Sequence, residues 1–157
     1  MATTLYDKDY VAWTRAQAKT LRRMAEARVN VELDCERLAE EVEDLGKSER
    51  DAVRSLVTQV LEHLLKIAHS SAAAPVPGWR REIRAARQSI GFKLTPSLRR
   101  DLDEQFEALY AIARASAADA FEAHADPKGA GRLPASSPFT LEQVLDAEWW
   151  PRRETAA

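Results

Sequence analysis

Apolar residues recur every three or four positions along most of the chain, and this spacing places them on one face of a helix. A β-strand would instead alternate apolar and polar residues at every second position, and no such alternation is sustained here. The first series predicts a helix that ends near residues 28–30. Its face, in which Gln17 is the one polar member, consists of Tyr6, Tyr10, Trp13, Gln17, Leu21 and Met24.

Two more helices are predicted between residues 30 and 67, joined by a tight turn. Asn30 or Asp34 is a suitable N-cap for the first of them, and Gly46 is a typical helix stop. Ser48 then caps the second, whose first turn is acidic. The predicted hairpin turns at residues 46–47. The two apolar faces are Val31, Cys35, Leu38, Val42 and Leu45, and then Val53, Leu56, Val57, Val60, Leu64 and Ile67.

Prolines and glycines divide the second half of the chain. The prolines at 75 and 77 precede a short helix that starts at Trp79 and ends at Gly91. Thr95 before a proline is the pattern of an N-cap, and it predicts a long fifth segment as far as Phe121. Residues 126–138 are predicted to be a loop, because they contain three prolines, two glycines and two serines.

A capping box is predicted at Thr140, since Gln143 follows at the right spacing for a last short helix that ends at the tryptophan pair 149–150. The fold class predicted from these segments is all-α. We expect a helical bundle of four main helices, one of them short, with a short C-terminal helix folded back. Residues 5–151 should form a single domain, and residues 152–157 a frayed tail.

Composition narrows the class of protein. The chain has 157 residues, 45% of them hydrophobic and 31% charged, with a net charge of −2. These values are typical of a globular domain rather than of a disordered chain. The single cysteine, Cys35, allows no internal disulfide, and the first ten residues lack the apolar region of a signal peptide. We therefore expect a cytoplasmic protein without a membrane span.

Several segments, taken in order, resemble the domain of unknown function 29 family, which consists of small bacterial all-helical proteins. The resemblance covers about residues 5–151 and implies an all-helical fold, but it implies no activity. The segments that carry it are residues 6–13 (YDKDYVAW), 38–46 (LAEEVEDLG), 63–66 (HLLK), Trp79 with Ile83 and Arg87, 95–98 (TPSL), 138–140 (PFT), 143–145 (QVL) and Pro151.

Charge is distributed unevenly between two segments. Residues 32–51 hold nine acidic residues against three basic ones, whereas residues 80–100 hold seven basic residues against one acidic residue. We interpret these as complementary surfaces that pair within the chain or between two copies of it. In an alternative interpretation, Arg80, Arg84 and Arg87 form one helix face that binds phosphates. The neighbouring acidic segment makes nucleic-acid binding the weaker hypothesis.

Among single residues, His63 is the strongest candidate for a functional role. In the predicted hairpin it would lie near Asp34, and with Glu41 these residues could form an acid–base or metal-dependent site. The interpretation favoured over this one is structural: His63 is a histidine at the core edge that bonds to a capping Asp34. The glutamate and histidine spacing of di-metal bundles is missing, so neither a metal nor a cofactor is predicted.

The function favoured by the sequence is a non-enzymatic helical interaction or scaffold module that self-associates, as a dimer, or binds another protein. Adjacent tryptophans cannot both face inward from one helical turn, so one of Trp149 and Trp150 is expected to cover a partner. The predicted interaction residues are therefore these two tryptophans and the basic face formed by Arg80, Arg84 and Arg87. The alternatives are an enzyme that uses Asp34, Glu41 and His63, and nucleic-acid binding.

Overall fold

A computed structural model describes residues 2–154 of the chain, and within that range it contains seven helices and no strand. The predicted all-α class is therefore confirmed. The helices are α1 (Leu5–Lys8), α2 (Tyr10–Glu26), α3 (Cys35–His69), α4 (Val76–Lys93), α5 (Pro96–Ala123), α6 (Pro127–Arg132) and α7 (Leu141–Leu145).

The contacts of the chain define two compact units. The N-terminal unit contains Met1–Val53 and Leu94–Asp101, and the C-terminal unit contains Arg54–Lys93 and Leu102–Ala157. Helices α3 and α5 each contribute residues to both units. The single domain expected over residues 5–151 stays a prediction.

The first predicted helix is divided at Asp9, whose carboxylate explains the break. Asp9 is only 7% exposed, and it caps α2 by accepting a hydrogen bond of 2.9 Å from the backbone N–H of Ala12. It also accepts a 2.8 Å bond from the N–H of Ser97 in the first turn of α5. One buried side chain thus satisfies free N–H groups at the start of two helices in the N-terminal unit.

The predicted hairpin at residues 46–47 is wrong, because α3 continues through Gly46 as one helix of 35 residues. Ser48 therefore caps nothing and lies inside the helix. Gly46 is required by close packing instead, since a Cβ built on it would lie 2.2 Å from Oγ1 of Thr14 in α2. Asp34 does cap α3, because its Oδ1 accepts a 3.0 Å bond from the N–H of Arg37.

The C-terminal region differs from its prediction in three places. Asp126 and Pro127 start the short helix α6 where a loop was predicted, with Asp126 accepting a bond from the N–H of Gly129. The capping box at Thr140 is confirmed, but α7 ends at Leu145, before the tryptophans. The tail is not frayed at Arg153, which donates to the carbonyls of Ile67 and Ser70. Residues 155–157 lie outside the described range.

Each unit has its own buried apolar residues. In the N-terminal unit the small side chains of Ala18 and Ala39, and the only cysteine of the chain, are at most 6% exposed. The C-terminal unit buries larger side chains. They include Val60, Leu61, Leu64, Leu65, Ile83, Ile90, Leu102, Leu109, Tyr110, Phe121 and Val144. No helix in the described part of the chain is both long enough and apolar enough to cross a membrane.

Candidate functional site

His63 lies on α3 with only 8% of its surface exposed, and it contacts α4 rather than the start of its own helix. Its Nε2 is 2.5 Å from a carboxylate oxygen of Glu82. The predicted pairing of His63 with Asp34 is wrong. Asp34 lies just before α3, and His63 lies 29 positions further along the same uninterrupted helix, so the two side chains cannot meet. Glu41 lies on the same helix, exposed and 22 positions before His63.

The environment of His63 favours its neutral form. Burial lowers the pKa of the imidazole, the ammonium of Lys66 lowers it further, and the carboxylates of Glu82 and Glu62 act in the opposite direction. Together these effects leave the pKa of His63 below its ordinary value. Its Nδ1 is buried and has no hydrogen-bond partner in the part of the chain that the structure describes. The pair of His63 and Glu82 can hold and exchange a proton at Nε2, on the side where Glu82 is half exposed.

Arg87 is a buried residue whose hydrogen bonds join α4 to the C-terminal segment. It is 6% exposed, and its Nε donates to the carbonyl of Val144 over 2.9 Å. Its two terminal nitrogens donate to the carbonyls of Trp149 and Gln143, over 3.0 and 3.1 Å. All three bonds are intramolecular, so this guanidinium does not belong to an exposed phosphate-binding face.

The predicted interaction residues surround the indole of Trp150. The guanidinium carbons of Arg80, Arg84 and Arg87 lie 5.3, 5.2 and 5.0 Å from the centre of this ring, within the range of cation–π contacts. Trp149 packs edge-on against Phe139, with the ring centres 5.5 Å apart. Both tryptophans are half-buried, while Arg80 and Arg84 remain exposed.

A cavity of about 490 Å³ opens in the C-terminal unit, at the ends of α3 and α5. We call it the Lys66 cavity. Lys66 is held by Glu62, with 2.9 Å between Nζ and the carboxylate oxygen, and its Nζ lies 5.7 Å from the ring centre of Trp79. The residues that line the cavity are Lys66, Ser70, Ser71, Ala72, Pro75, Trp79, Ala120, Phe121, His124, Ala125 and Asp126.

The N-terminal unit leaves apolar side chains uncovered. Nine large hydrophobic residues in the described range are strongly exposed, and seven of them belong to this unit. Leu38 and Leu45 are 38% and 52% exposed, although the sequence places them on a core face. They lie two turns apart on α3, among exposed acidic residues. The seven are Leu5, Tyr6, Val29, Val31, Leu33, Leu38 and Leu45.

Residues 2–154 contain no group of three or more histidine, cysteine, aspartate or glutamate side chains arranged to hold a metal ion. The sequence did not point to the Lys66 cavity, because its walls come from segments up to 60 positions apart. The sequence offers one related feature, the run of residues 67–79 without aspartate, glutamate, lysine or arginine. The exposed leucines were missed because helical periodicity does not say which apolar residues find a neighbour.

Comparison with known proteins gives a family and a fold. The model of the family described as "Domain of unknown function DUF29" matches residues 5–150. Among solved structures, the chain is similar to an alpha-helical protein of unknown function from Rhodospirillum rubrum. The two have 26% sequence identity and a TM-score of 0.82, and the match covers 94% of this chain and 93% of the other. No curated protein matches the chain.

Proposed function

The chain belongs to the DUF29 family, and on this premise we propose that it is a non-enzymatic interaction module that associates with a second copy of itself. The observation that supports the proposal best is the set of uncovered apolar side chains on the N-terminal unit. Exposed apolar residues gathered in one unit are typical of protein interaction surfaces.

The first half of α3 supplies one side of the proposed contact. Leu38 and Leu45 provide apolar area, and the exposed carboxylates of Glu40, Glu41 and Asp44 surround them. A dimer that placed two such surfaces against each other would bring like charges together, which is unfavourable. The surface therefore fits a basic partner surface that also offers an apolar side chain.

Helix α4 of a second copy has these properties. Arg80 and Arg81 are exposed on it, and Phe92, in its last turn, is 83% exposed. Arg81 and Phe92 are eleven positions apart, close to three helical turns, so they share one face. In a symmetric dimer each copy supplies both surfaces, and the contact between acidic α3 and basic α4 occurs twice.

A charge exchange tests this proposal. Sedimentation equilibrium of the full chain should show a dimer, and both Glu41→Lys/Asp44→Lys and Arg80→Glu/Arg81→Glu should weaken it at least tenfold. An equimolar mixture of the two variants should restore both contacts in a heterodimer, because each contact then pairs a basic surface with an acidic one. Ile112→Ser, an exposed apolar residue of the C-terminal unit, is the matched control and should change nothing.

Two results would contradict the proposal. One is a wild-type chain that stays monomeric up to its solubility limit. The other is a dimer that survives both charge reversals, since the contact would then lie elsewhere. Circular dichroism of each variant separates loss of association from loss of fold.

Acid–base chemistry at His63 is a second candidate function, favoured by the contact between its Nε2 and Glu82. A residue that exchanges protons with a substrate must titrate. If this function holds, the imidazole of His63 followed by NMR titrates reversibly between pH 4 and 8, and Glu82→Gln lowers its pKa because a carboxylate is lost. An imidazole that stays neutral over this range in the folded chain removes the candidate.

A further inference from the structure

We propose that the Lys66 cavity binds a small aromatic anion, with the flat ring between apolar walls and the carboxylate on the ammonium of Lys66. This goes beyond the proposed self-association and does not depend on it. All of the lining residues belong to the C-terminal unit.

The size of the cavity suits a small ligand. Its volume of about 490 Å³ lies within the range of about 300–1,000 Å³ that is usual for small-molecule sites. Such sites combine apolar walls with a few polar groups that orient the ligand. Here Trp79, Phe121 and Pro75 supply aromatic and aliphatic surface, while Lys66 and His124 supply polar groups.

Lys66 is held in place before a ligand arrives. Its side chain is only 13% exposed, and one hydrogen of the ammonium group is used by Glu62 at 2.9 Å. Since an ammonium has three hydrogens, two remain for an incoming carboxylate. The ammonium nitrogen of Lys66 lies 5.7 Å from the ring centre of Trp79, so the positive charge and an aromatic wall are neighbours in the cavity.

The oxygens of the acidic residue in the lining are occupied by the chain's own hydrogen-bond donors. Asp126 accepts hydrogen bonds from the N–H and the hydroxyl of Ser71, at 2.8 and 2.7 Å, and from the N–H of Gly129. Burial raises the pKa of its carboxyl, but these bonds and the charge of Arg132 outweigh burial and lower it overall. Asp126 is therefore ionised, but its oxygens are occupied by these donors and the positive charge of Arg132 acts on it, whereas Lys66 presents an ammonium to the cavity.

Three naphthalene probes of nearly equal size test the inference on the full chain. The anion is 2-naphthoate, the neutral probe is 2-naphthylmethanol, and the cation is 2-naphthylmethylamine. Calorimetry should show a single site for naphthoate, at least tenfold tighter than for the alcohol, and no binding of the amine. The indole N–H signal of Trp79, assigned by Trp79→Leu, should shift on titration with naphthoate.

Substitutions at Lys66 test whether its positive charge binds the carboxylate of naphthoate. Lys66→Met keeps the length of the side chain and should weaken naphthoate at least tenfold while leaving the alcohol unchanged. Lys66→Arg keeps the positive charge and should keep most of the affinity. It tests the role of the charge if the methionine variant folds poorly. Lys128→Met, a change at an exposed lysine on α6, is the matched control. Equal affinity for the three probes would overturn the inference, as would an unchanged naphthoate affinity in Lys66→Met.

Discussion

The role of Arg87 differs from the one that its position in the sequence pattern suggests. The sequence places it on a basic helix face with Arg80 and Arg84, yet the structure buries it against three backbone carbonyls. Two of those carbonyls belong to the last turn of α7. The carbonyl of Gln143 also accepts from the N–H of Asp146, whereas Arg87 is the donor to the carbonyl of Val144. Arg87 therefore acts as the C-terminal cap of α7. Burial lowers its pKa, partly offset by Asp146, but an arginine stays charged.

Loss of this cap should be costly. Arg87→Met keeps much of the apolar volume but leaves the carbonyls of Val144 and Trp149 without a donor, so we expect a loss of about 2–4 kcal/mol in the free energy of unfolding. Arg84→Met, a change at an exposed neighbour that also contacts Trp150, should cost less than about 1 kcal/mol. Urea denaturation of both variants measures the difference, and similar losses would show that the carbonyl bonds contribute little.

His69 is the second buried residue with an unusual environment. It ends α3 at 2% exposure, and neither ring nitrogen has a hydrogen-bond partner among residues 2–154. Burial lowers its pKa, the carboxylate of Glu154 raises it, and Arg132 lowers it. Because the folded pKa lies below that of the unfolded chain, the unfolded state binds more protons at mildly acidic pH. The stability that this residue contributes is complete above about pH 6.5 and is lost as the pH falls from there.

Replacing His69 should flatten this dependence. We expect His69→Leu to be at least as stable as the wild type at pH 7, because an unsatisfied polar ring is replaced by an apolar side chain. Between pH 7 and 5 it should lose less stability than the wild type, by up to about 1.4 kcal/mol per pH unit for one proton. Ile112→Ser changes an exposed residue that does not titrate and should keep the wild-type slope. Chemical denaturation at several pH values would reject the account if His69→Leu kept that slope too.

At the scale of the element, the contact between α2 and α3 depends on side chains that are absent or small. Gly46 lies in the interior of a 35-residue helix, where glycine lowers helix stability by about 1 kcal/mol relative to alanine. The close approach of Thr14 explains why it is there. The hydroxyl of Thr14 cannot easily turn away, because it donates to the carbonyl of Val11 over 2.8 Å.

Two glycine substitutions separate helix propensity from packing. Gly46→Ala should lower the free energy of unfolding by about 1–3 kcal/mol, since overpacking outweighs the gain in propensity. Gly91→Ala has open space around the new methyl group and should raise stability by up to about 1 kcal/mol. Thr14→Ala in the Gly46→Ala background should recover part of the loss. Thermal unfolding that shows both single variants gaining stability would contradict the packing account.

At the scale of the whole molecule, a nearly neutral chain carries two strongly charged segments. Within the N-terminal unit, Glu43 pairs with Arg22, but most acids of the first half of α3 face solvent. Charges of this kind affect the choice of partner and the rate of association more than the stability of the fold. Their effect should therefore appear in the association equilibrium.

Salt should weaken the proposed dimer. Raising sodium chloride from about 0.05 to 0.5 M shortens the screening length several-fold, so we expect the dissociation constant to rise at least fivefold. Leu38→Ser/Leu45→Ser should weaken association at every salt concentration, because the apolar contribution is not screened. Light scattering across the salt series measures both effects. A dimer that salt strengthens would indicate a contact that is apolar alone.

The sequence by itself determined the all-α class and several helix ends. Apolar spacing of three to four residues and the local bonds of a cap act within one turn, so the caps at Thr95 and Thr140 could be predicted. A local signal of the same kind, a capping aspartate before a proline, starts α6 at Asp126 and Pro127. The neighbouring glycines and prolines nevertheless led to the prediction of a loop.

The tertiary structure alone decided the roles of Gly46, His63 and Arg87. A glycine is a helix stop or a packing site according to what approaches it, and Thr14 is 32 positions away. The partner of His63 comes from α4, and the acceptors of Arg87 lie at least 56 positions further along the chain. Spacing along a helix fixes which face a residue occupies, but only packing between distant segments fixes what meets that face.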